Sequence, residues 1–143
     1  MSIRILLVDD EVDFVEVLAE RLKRRGFTVT TAFNGEEALG TIEEGQGPDV
    51  VVLDVVMPGL GGIETLREIK KRSPLTEVVM LTGHATVETA IEGMKLGAFD
   101  FLMKPTEADE LVEKITEAHD HKAAHEERIR AAEIQKIVRR RGW

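Results

Sequence analysis

The sequence predicts a doubly wound α/β domain, a single five-stranded parallel sheet with helices on both faces and an extended C-terminal helix. Three observations lead there. Apolar periodicity alternates between strand-like runs and helix-like stripes five times along 143 residues. The connections between these stretches are short, as in β-α-β crossovers. The strand-like runs are apolar at almost every position, as strands covered on both faces must be.

Ile3-Arg4-Ile5-Leu6-Leu7-Val8 is the first such run. Residues 12–25 follow with Phe14, Val15, Leu18, Ala19 and Leu22 at helical spacing. Lys23-Arg24-Arg25 before Gly26 is a helix C-terminal signature. Thr28–Thr31 alternates, which suits a sheet edge. Residues 35–44 carry Ala38, Leu39 and Ile42 inward as a short helix, and Asp49–Leu53 is a second buried strand. Pro58-Gly59 and Gly61-Gly62 turn the chain into a helix bearing Ile63, Leu66 and Ile69. Glu77–Leu81 is a strand, and residues 86–96 place Val87, Ala90, Ile91 and Met94 on one helical face that ends at Gly97. Ala98–Met103 is the fifth strand. A long helical segment starts after Thr106, with Asp109 three residues on as in a capping box.

Composition narrows the function. Cys is absent, which removes disulfides, thiolate nucleophiles and thiolate zinc sites together. No apolar run approaches 18 residues and the N-terminus has no signal-peptide pattern, so the expectation is a cytoplasmic protein with no membrane partner. Residues 1–118 hold 12 Lys and Arg against 23 Asp and Glu, whereas residues 119–143 hold 7 against 4. An acidic body is a poor nucleic-acid surface. The expected division is a body over 1–118 and a helical extension or linker over 119–143. Ile129, Ile134, Ile137 and Val138 continue the helical pattern there without clean heptads, before Arg139-Arg140-Arg141 and the lone Trp143. Twenty-five residues are too few for an independent DNA-binding unit.

In open parallel sheets, sites form beyond the carboxyl ends of the strands. Asp9, Asp10 and Glu11 follow the first strand, Asp54 the third, Thr82-Gly83 the fourth, and Lys104-Pro105 the fifth. Each alone has an ordinary reading. An Asp after a strand commonly caps a helix or turn, and a lone Lys is a solvated surface group. Asp54 is different, because it interrupts the apolar run Val50–Val56, where a carboxylate needs a partner. Clustered carboxylates repel unless a cation intervenes. Hard oxygen donors favour Mg²⁺ over zinc. One carboxylate can then attack phosphorus, with Mg²⁺ and an ammonium balancing charge and a hydroxyl donating to the new group. Asp54, Lys104 and Thr82 fit the nucleophile, ammonium and hydroxyl roles.

Leu7-Val8-Asp9-Asp10-Glu11, Leu53-Asp54-Val55-Val56-Met57-Pro58 with Gly61-Gly62, Leu81-Thr82-Gly83-His84, and Phe99-Asp100-Phe101-Leu102-Met103-Lys104-Pro105 together resemble the response-regulator receiver domains of two-component signalling, the CheY-like superfamily, over residues 1–118. The resemblance implies the strand order 2-1-3-4-5. It implies Asp54 as phosphoacceptor, Asp10 as a direct Mg²⁺ ligand, Asp9 helping through water, and the Val56 carbonyl as a further ligand. It makes Thr82 the switch hydroxyl, Phe101 the switch aromatic and Lys104 the phosphoryl contact, with a cis Lys104-Pro105 bond. Gly83–Ala90 is similar to receivers of enhancer-binding activators. A histidine kinase or phosphotransfer protein is the implied donor. A homodimer through the 86–118 face or the C-terminal helix is a further expected partner. Val56, two residues after Asp54, has no polar group to orient water, so slow hydrolysis is expected. His84, two residues after Thr82, reads as an exposed loop residue or a partner contact.

The resemblance implies a regulator rather than a conventional enzyme. Three other readings compete. A Mg²⁺-dependent phosphohydrolase of the haloacid-dehalogenase kind usually carries a second Asp where Val56 stands. A flavodoxin-like cofactor binder would need a glycine-rich phosphate loop in place of Asp9-Asp10-Glu11. A phosphorylation-independent docking module would not need Asp9, Asp10, Asp54, Thr82 and Lys104 all intact.

Overall fold

The computed structural model describes residues 2–42, 47–57, 59–83 and 87–142. The elements run β1 (Arg4–Val8), α1 (Val12–Arg24), β2 (Thr28–Ala32), α2 (Gly35–Gly40), β3 (Val50–Leu53), α3 (Gly62–Arg72), β4 (Glu77–Thr82), α4 (Val87–Lys95), β5 (Asp100–Met103) and α5 (Ala108–Arg140). The strands form one parallel sheet in the order β2-β1-β3-β4-β5, as expected. The register pairs Val8 with Leu53, and Thr82 with Met103. The carboxyl ends of β1, β3, β4 and β5 therefore stand side by side along one edge.

Strand alternation sorts the core into two layers. Leu6, Val8, Val51, Leu53, Val78 and Met80 face α2 and α3, meeting Ala38, Leu39, Leu66 and Ile69. Ile5, Leu7, Val50, Val52, Val79 and Leu81 face α1 and α5, meeting Val15, Leu18, Leu22, Leu111 and Ile115. Both faces of the three central strands are thus covered, which explains why they read as unbroken apolar runs.

Three details depart from the sequence expectation, and on α4 the structure supplies a direction that the spacing left open. β5 begins at Asp100, and Ala98 instead packs into the α2–α3 layer. α2 ends at Gly40; Ile42 is buried beyond it, and residues 43–44 lie outside the described residues. The apolar stripe of α4 faces solvent: Val87, Ile91 and Met94 are exposed and Gly93 is its buried residue. Thr106 does not cap α5. The N-cap position is Glu107, without a side-chain bond, and the Thr106 hydroxyl donates to Glu110 Oε2 at 3.0 Å.

α5 is continuous over 33 residues. Its first turns bury Leu111, Ile115 and Ala118 against the sheet. The next turn is tied to the sheet's opposite edge, where Lys122 Nζ lies 3.0 Å from Asp49 Oδ1 and His121 Nδ1 lies 3.2 Å from Glu77 Oε2. From residue 127 to 140 every side chain is exposed except half-buried Val138. No helix among the described residues is long and apolar enough to cross a membrane.

Candidate functional site

The end of β1 delivers the first carboxylate. Asp9 N–H donates to Ala32 O on β2, extending the ladder by one bond and turning the side chain into the pocket, where it is 2% exposed. Its Oδ1 accepts the Glu11 N–H at 2.9 Å, a local Asx turn that starts α1. β3 delivers the second in the same way: Asp54 N–H donates to Val8 O, and the carboxyl is 3% exposed. Its Oδ1 accepts the Val56 N–H at 3.3 Å. The loop beyond is pinned by Gly62 N–H to Val55 O and by Leu60 N–H to Glu36 Oε1.

β4 ends on Thr82, fully buried, whose carbonyl accepts the Lys104 N–H at 2.9 Å. That bond sets the start of the Lys104 side chain, and the Lys104-Pro105 bond is cis as expected. Lys104 Nζ then reaches Asp9 Oδ2 at 2.6 Å and Glu11 Oε1 at 3.2 Å, and sits 4.3 Å from the centre of the Phe14 ring. Burial raises the Asp9 pKa, helped by the Asp54 charge, although Lys104 and the Glu11 N–H pull the other way. Burial lowers that of Lys104, but the bond and charge of Asp9 outweigh it and hold the ammonium above its ordinary value.

Carboxylate oxygens of Asp9, Glu11 and Asp54 lie within 4.8 Å of one another. The set is entirely carboxylate, with an ammonium alongside, and so fits a hard divalent cation. Residues from three strands, far apart in the chain, therefore meet at one edge.

Asp10 and Lys104 have these surroundings. Asp10 and Glu11 are both exposed, and it is Glu11 whose oxygen lies close to those of Asp9 and Asp54. Lys104 pairs with Asp9 and Glu11, and Asp54 acts on it only as a nearby charge. Phe101 is half-buried and packs against the α2–α3 layer. Val56 is 49% exposed beside Asp54. His84 and Trp143 lie outside the described residues. Sequence reasoning left Glu11 and Phe14 without a role in the site. Their i, i+3 spacing puts both on one side of the first turn of α1, which was the available signal.

A family model described as the response regulator receiver domain matches residues 5–116. The transcriptional regulatory protein ZraR of Salmonella typhimurium is 40% identical over 120 residues, 84% of this chain and 27% of that protein. The regulatory protein AtoC of Escherichia coli K12 is 41% identical over 108 residues, 76% of this chain and 23% of that protein. The chain thus spans about a quarter of the length of these relatives. Among solved structures, a CheY-like response regulator receiver domain protein from Methanospirillum hungatei JF-1 superposes with a TM-score of 0.83 at 30% identity, covering 87% of this chain and 99% of that one. NtrX from Brucella abortus superposes at 0.81 with 39% identity, covering 89% of this chain and 29% of that one.

Proposed function

The chain belongs to the response regulator receiver domains of two-component signalling, and from that premise we propose that Asp54 is the residue that accepts the phosphoryl group. The observation that carries the assignment is the burial of Asp54 at the meeting point of Asp9, Glu11 and Lys104. An Asp54 oxygen would form the new O–P bond while the bond from phosphorus to the donor's leaving group breaks. With a histidine kinase or phosphotransfer protein as donor, that leaving group is an imidazole, which takes up a proton. Lys104 would balance the charge of the transferred group, and the Thr82 hydroxyl would donate to it.

By the family resemblance Asp9, Asp10, Asp54 and the Val56 carbonyl would hold Mg²⁺, and Glu11, whose oxygen lies close to those of Asp9 and Asp54, would add a carboxylate. When bound, Mg²⁺ supplies positive charge against the phosphoryl oxygens. Without it, Asp9, Glu11 and Asp54 repel both one another and an incoming phosphoryl group.

The response would follow from Thr82 moving toward the phosphoryl group and Phe101 turning inward. Reversing an equilibrium from 1:99 to 99:1 needs about 5.5 kcal/mol. Hydrogen bonds to a charged group contribute roughly 1.5–3 kcal/mol each, so two or three suffice. Exposed Val87, Ile91, Met94 and Met103 support the 86–118 face as the surface presented to a partner or second copy. The family match ending at 116 and the last buried position of α5, Ala118, support a receiver over 1–118 and an extension over 119–143. A cytoplasmic location agrees with this role.

Incubation with a small acyl phosphate and Mg²⁺, then intact mass and peptide mapping, tests the reading. A phosphoryl adduct on Asp54, absent from Asp54→Asn, is expected. An adduct elsewhere, or none with several donors, would favour a phosphorylation-independent docking module.

A further inference from the structure

Lys104 has two kinds of neighbour in the pocket. Its ammonium is held by the Asp9 and Glu11 carboxylates at 2.6 and 3.2 Å. It also faces the Phe14 ring at 4.3 Å, within the range of a cation–π contact. The ring is half-buried and packs against the α1–α5 layer of the core. Phe14 projects from the first turn of α1 and lines, with Leu18, Leu81, Pro105 and Leu111, a small cavity of about 100 Å³ beneath the Lys104 stem.

The two kinds of neighbour differ in what can displace them. Asp9 and Glu11 are also two of the three carboxylates gathered for a cation. A hard cation takes oxygen donors, so it competes with the ammonium for those groups and repels it. It has no comparable claim on an aromatic face. The Lys104 side chain is 14% exposed, and a freed ammonium could otherwise turn outward to water.

We propose that Phe14 is a positioning residue for Lys104: its ring face keeps the ammonium inside the acidic pocket when Asp9 and Glu11 turn to a cation. The inference builds on the phosphoacceptor reading only for its kinetic consequence; the placement of Lys104 stands apart from it.

The first arm is spectroscopic and uses metal-free protein labelled with ¹³C at lysine Cε. The Lys104 signal is identified by its loss in Lys104→Met. Ring current from Phe14 shifts the Lys104 ε-protons upfield in the wild type. Phe14→Tyr keeps that shift and Phe14→Leu removes it. An unchanged shift in Phe14→Leu would overturn the proposal. Adding Mg²⁺ should leave the upfield shift in place, and its collapse would equally overturn it.

The second arm measures the rate of Asp54 phosphorylation by an acyl phosphate. Phe14→Leu is expected to slow it roughly 2- to 5-fold, the rate equivalent of one cation–π contact, and Phe14→Tyr to restore it. In a Lys104→Met background the Phe14→Leu change should have no further effect. An equal loss in both backgrounds, with melting temperatures unchanged, would show that Phe14 does not act through Lys104 and would overturn the proposal. If the wild type takes no phosphoryl group, the phosphoacceptor reading fails and the spectroscopic arm alone decides where Lys104 is held.

Discussion

Gly62 opens α3 directly behind the acidic pocket. A Cβ there would lie 2.3 Å from the Asp54 carbonyl oxygen, 2.5 Å from Val55 Cα and 2.6 Å from the Val55 carbonyl oxygen. Ordinary contact begins near 3.4 Å, so Gly62→Ala demands a displacement of about 1 Å. All three obstructing atoms are backbone, and Gly62 N–H is itself bonded to Val55 O at 3.0 Å. Rotation of a side chain cannot relieve the clash, so the peptide carrying Asp54 must move. Overpacking of this kind costs about 1–3 kcal/mol, which at this chain length lowers Tm by roughly 3–10 °C. Misplacing a reacting group by about 1 Å can cost up to ~100-fold in rate, so Asp54 phosphorylation should slow by roughly 10- to 100-fold. Gly61→Ala is the control. Gly61 has φ −66° and nothing within 4 Å of an added Cβ. The small loss from Ala at an N-cap and the gain from a stiffer unfolded chain should nearly cancel, leaving about 0.5 kcal/mol either way. Thermal melts followed by circular dichroism, with phosphorylation kinetics at a temperature where all variants are folded, read both effects. A Gly62→Ala protein that melts and reacts like the wild type would refute the steric argument. So would a Gly61→Ala protein that is equally damaged.

Three further outcomes are expected. Val56→Asn places an amide beside Asp54 at an exposed position and should speed phosphoryl loss; a time course of released phosphate reads it, and an unchanged half-life counts against slow hydrolysis through Val56. Asp9 is held above the ordinary aspartate value of 3.8 by burial, so Mg²⁺ binding should weaken on acidification while the pH is still above that value. Asp9→Asn should weaken binding roughly 10- to 100-fold while making the metal-free protein more stable at neutral pH, because a carboxyl whose pKa rises on folding opposes folding once ionised; isothermal titration and urea melts check the two halves. Burial alone would raise the Asp49 pKa, but the Arg4 N–H and Lys122 outweigh it and hold the carboxyl low. Its stabilising contribution is therefore complete above the unfolded-state pKa and lost as pH falls through the folded one. Lys122→Met should cost about 1–3 kcal/mol in urea unfolding at neutral pH, shrinking below pH 3.8.

The sheet was legible because burial on both faces leaves only apolar residues at Ile5–Val8, Val50–Leu53 and Val78–Leu81, and because those runs alternate with helical stripes. The convergence of Asp9, Asp54, Thr82 and Lys104 followed from topology, since parallel strands bring their carboxyl ends to one edge. What the sequence hid is direction. After Val8 the chain leaves extended geometry, and consecutive residues point different ways. Three adjacent acidic residues therefore do not disclose that Asp9 is buried, or that exposed Glu11 rather than exposed Asp10 brings its carboxylate to those of Asp9 and Asp54. Phe14 sits at core spacing, and periodicity reports a face without its neighbour, which here arrives from Lys104 ninety positions later. The stripe on α4 was visible as a stripe, but spacing carries no sign to separate a core-facing surface from one turned to solvent.

A helix of 33 residues is about 50 Å long, and some 33 Å of α5 extends past Ala118. Such a rod works as a lever. A tilt of about 5° where Leu111 and Ile115 seat on the sheet would carry the level of Arg140 sideways by about 3 Å, close to one carbon–carbon contact distance. Adjustments too small to disturb the core would thus be amplified at Ile134 and Ile137, where a bound surface could be gripped or let go.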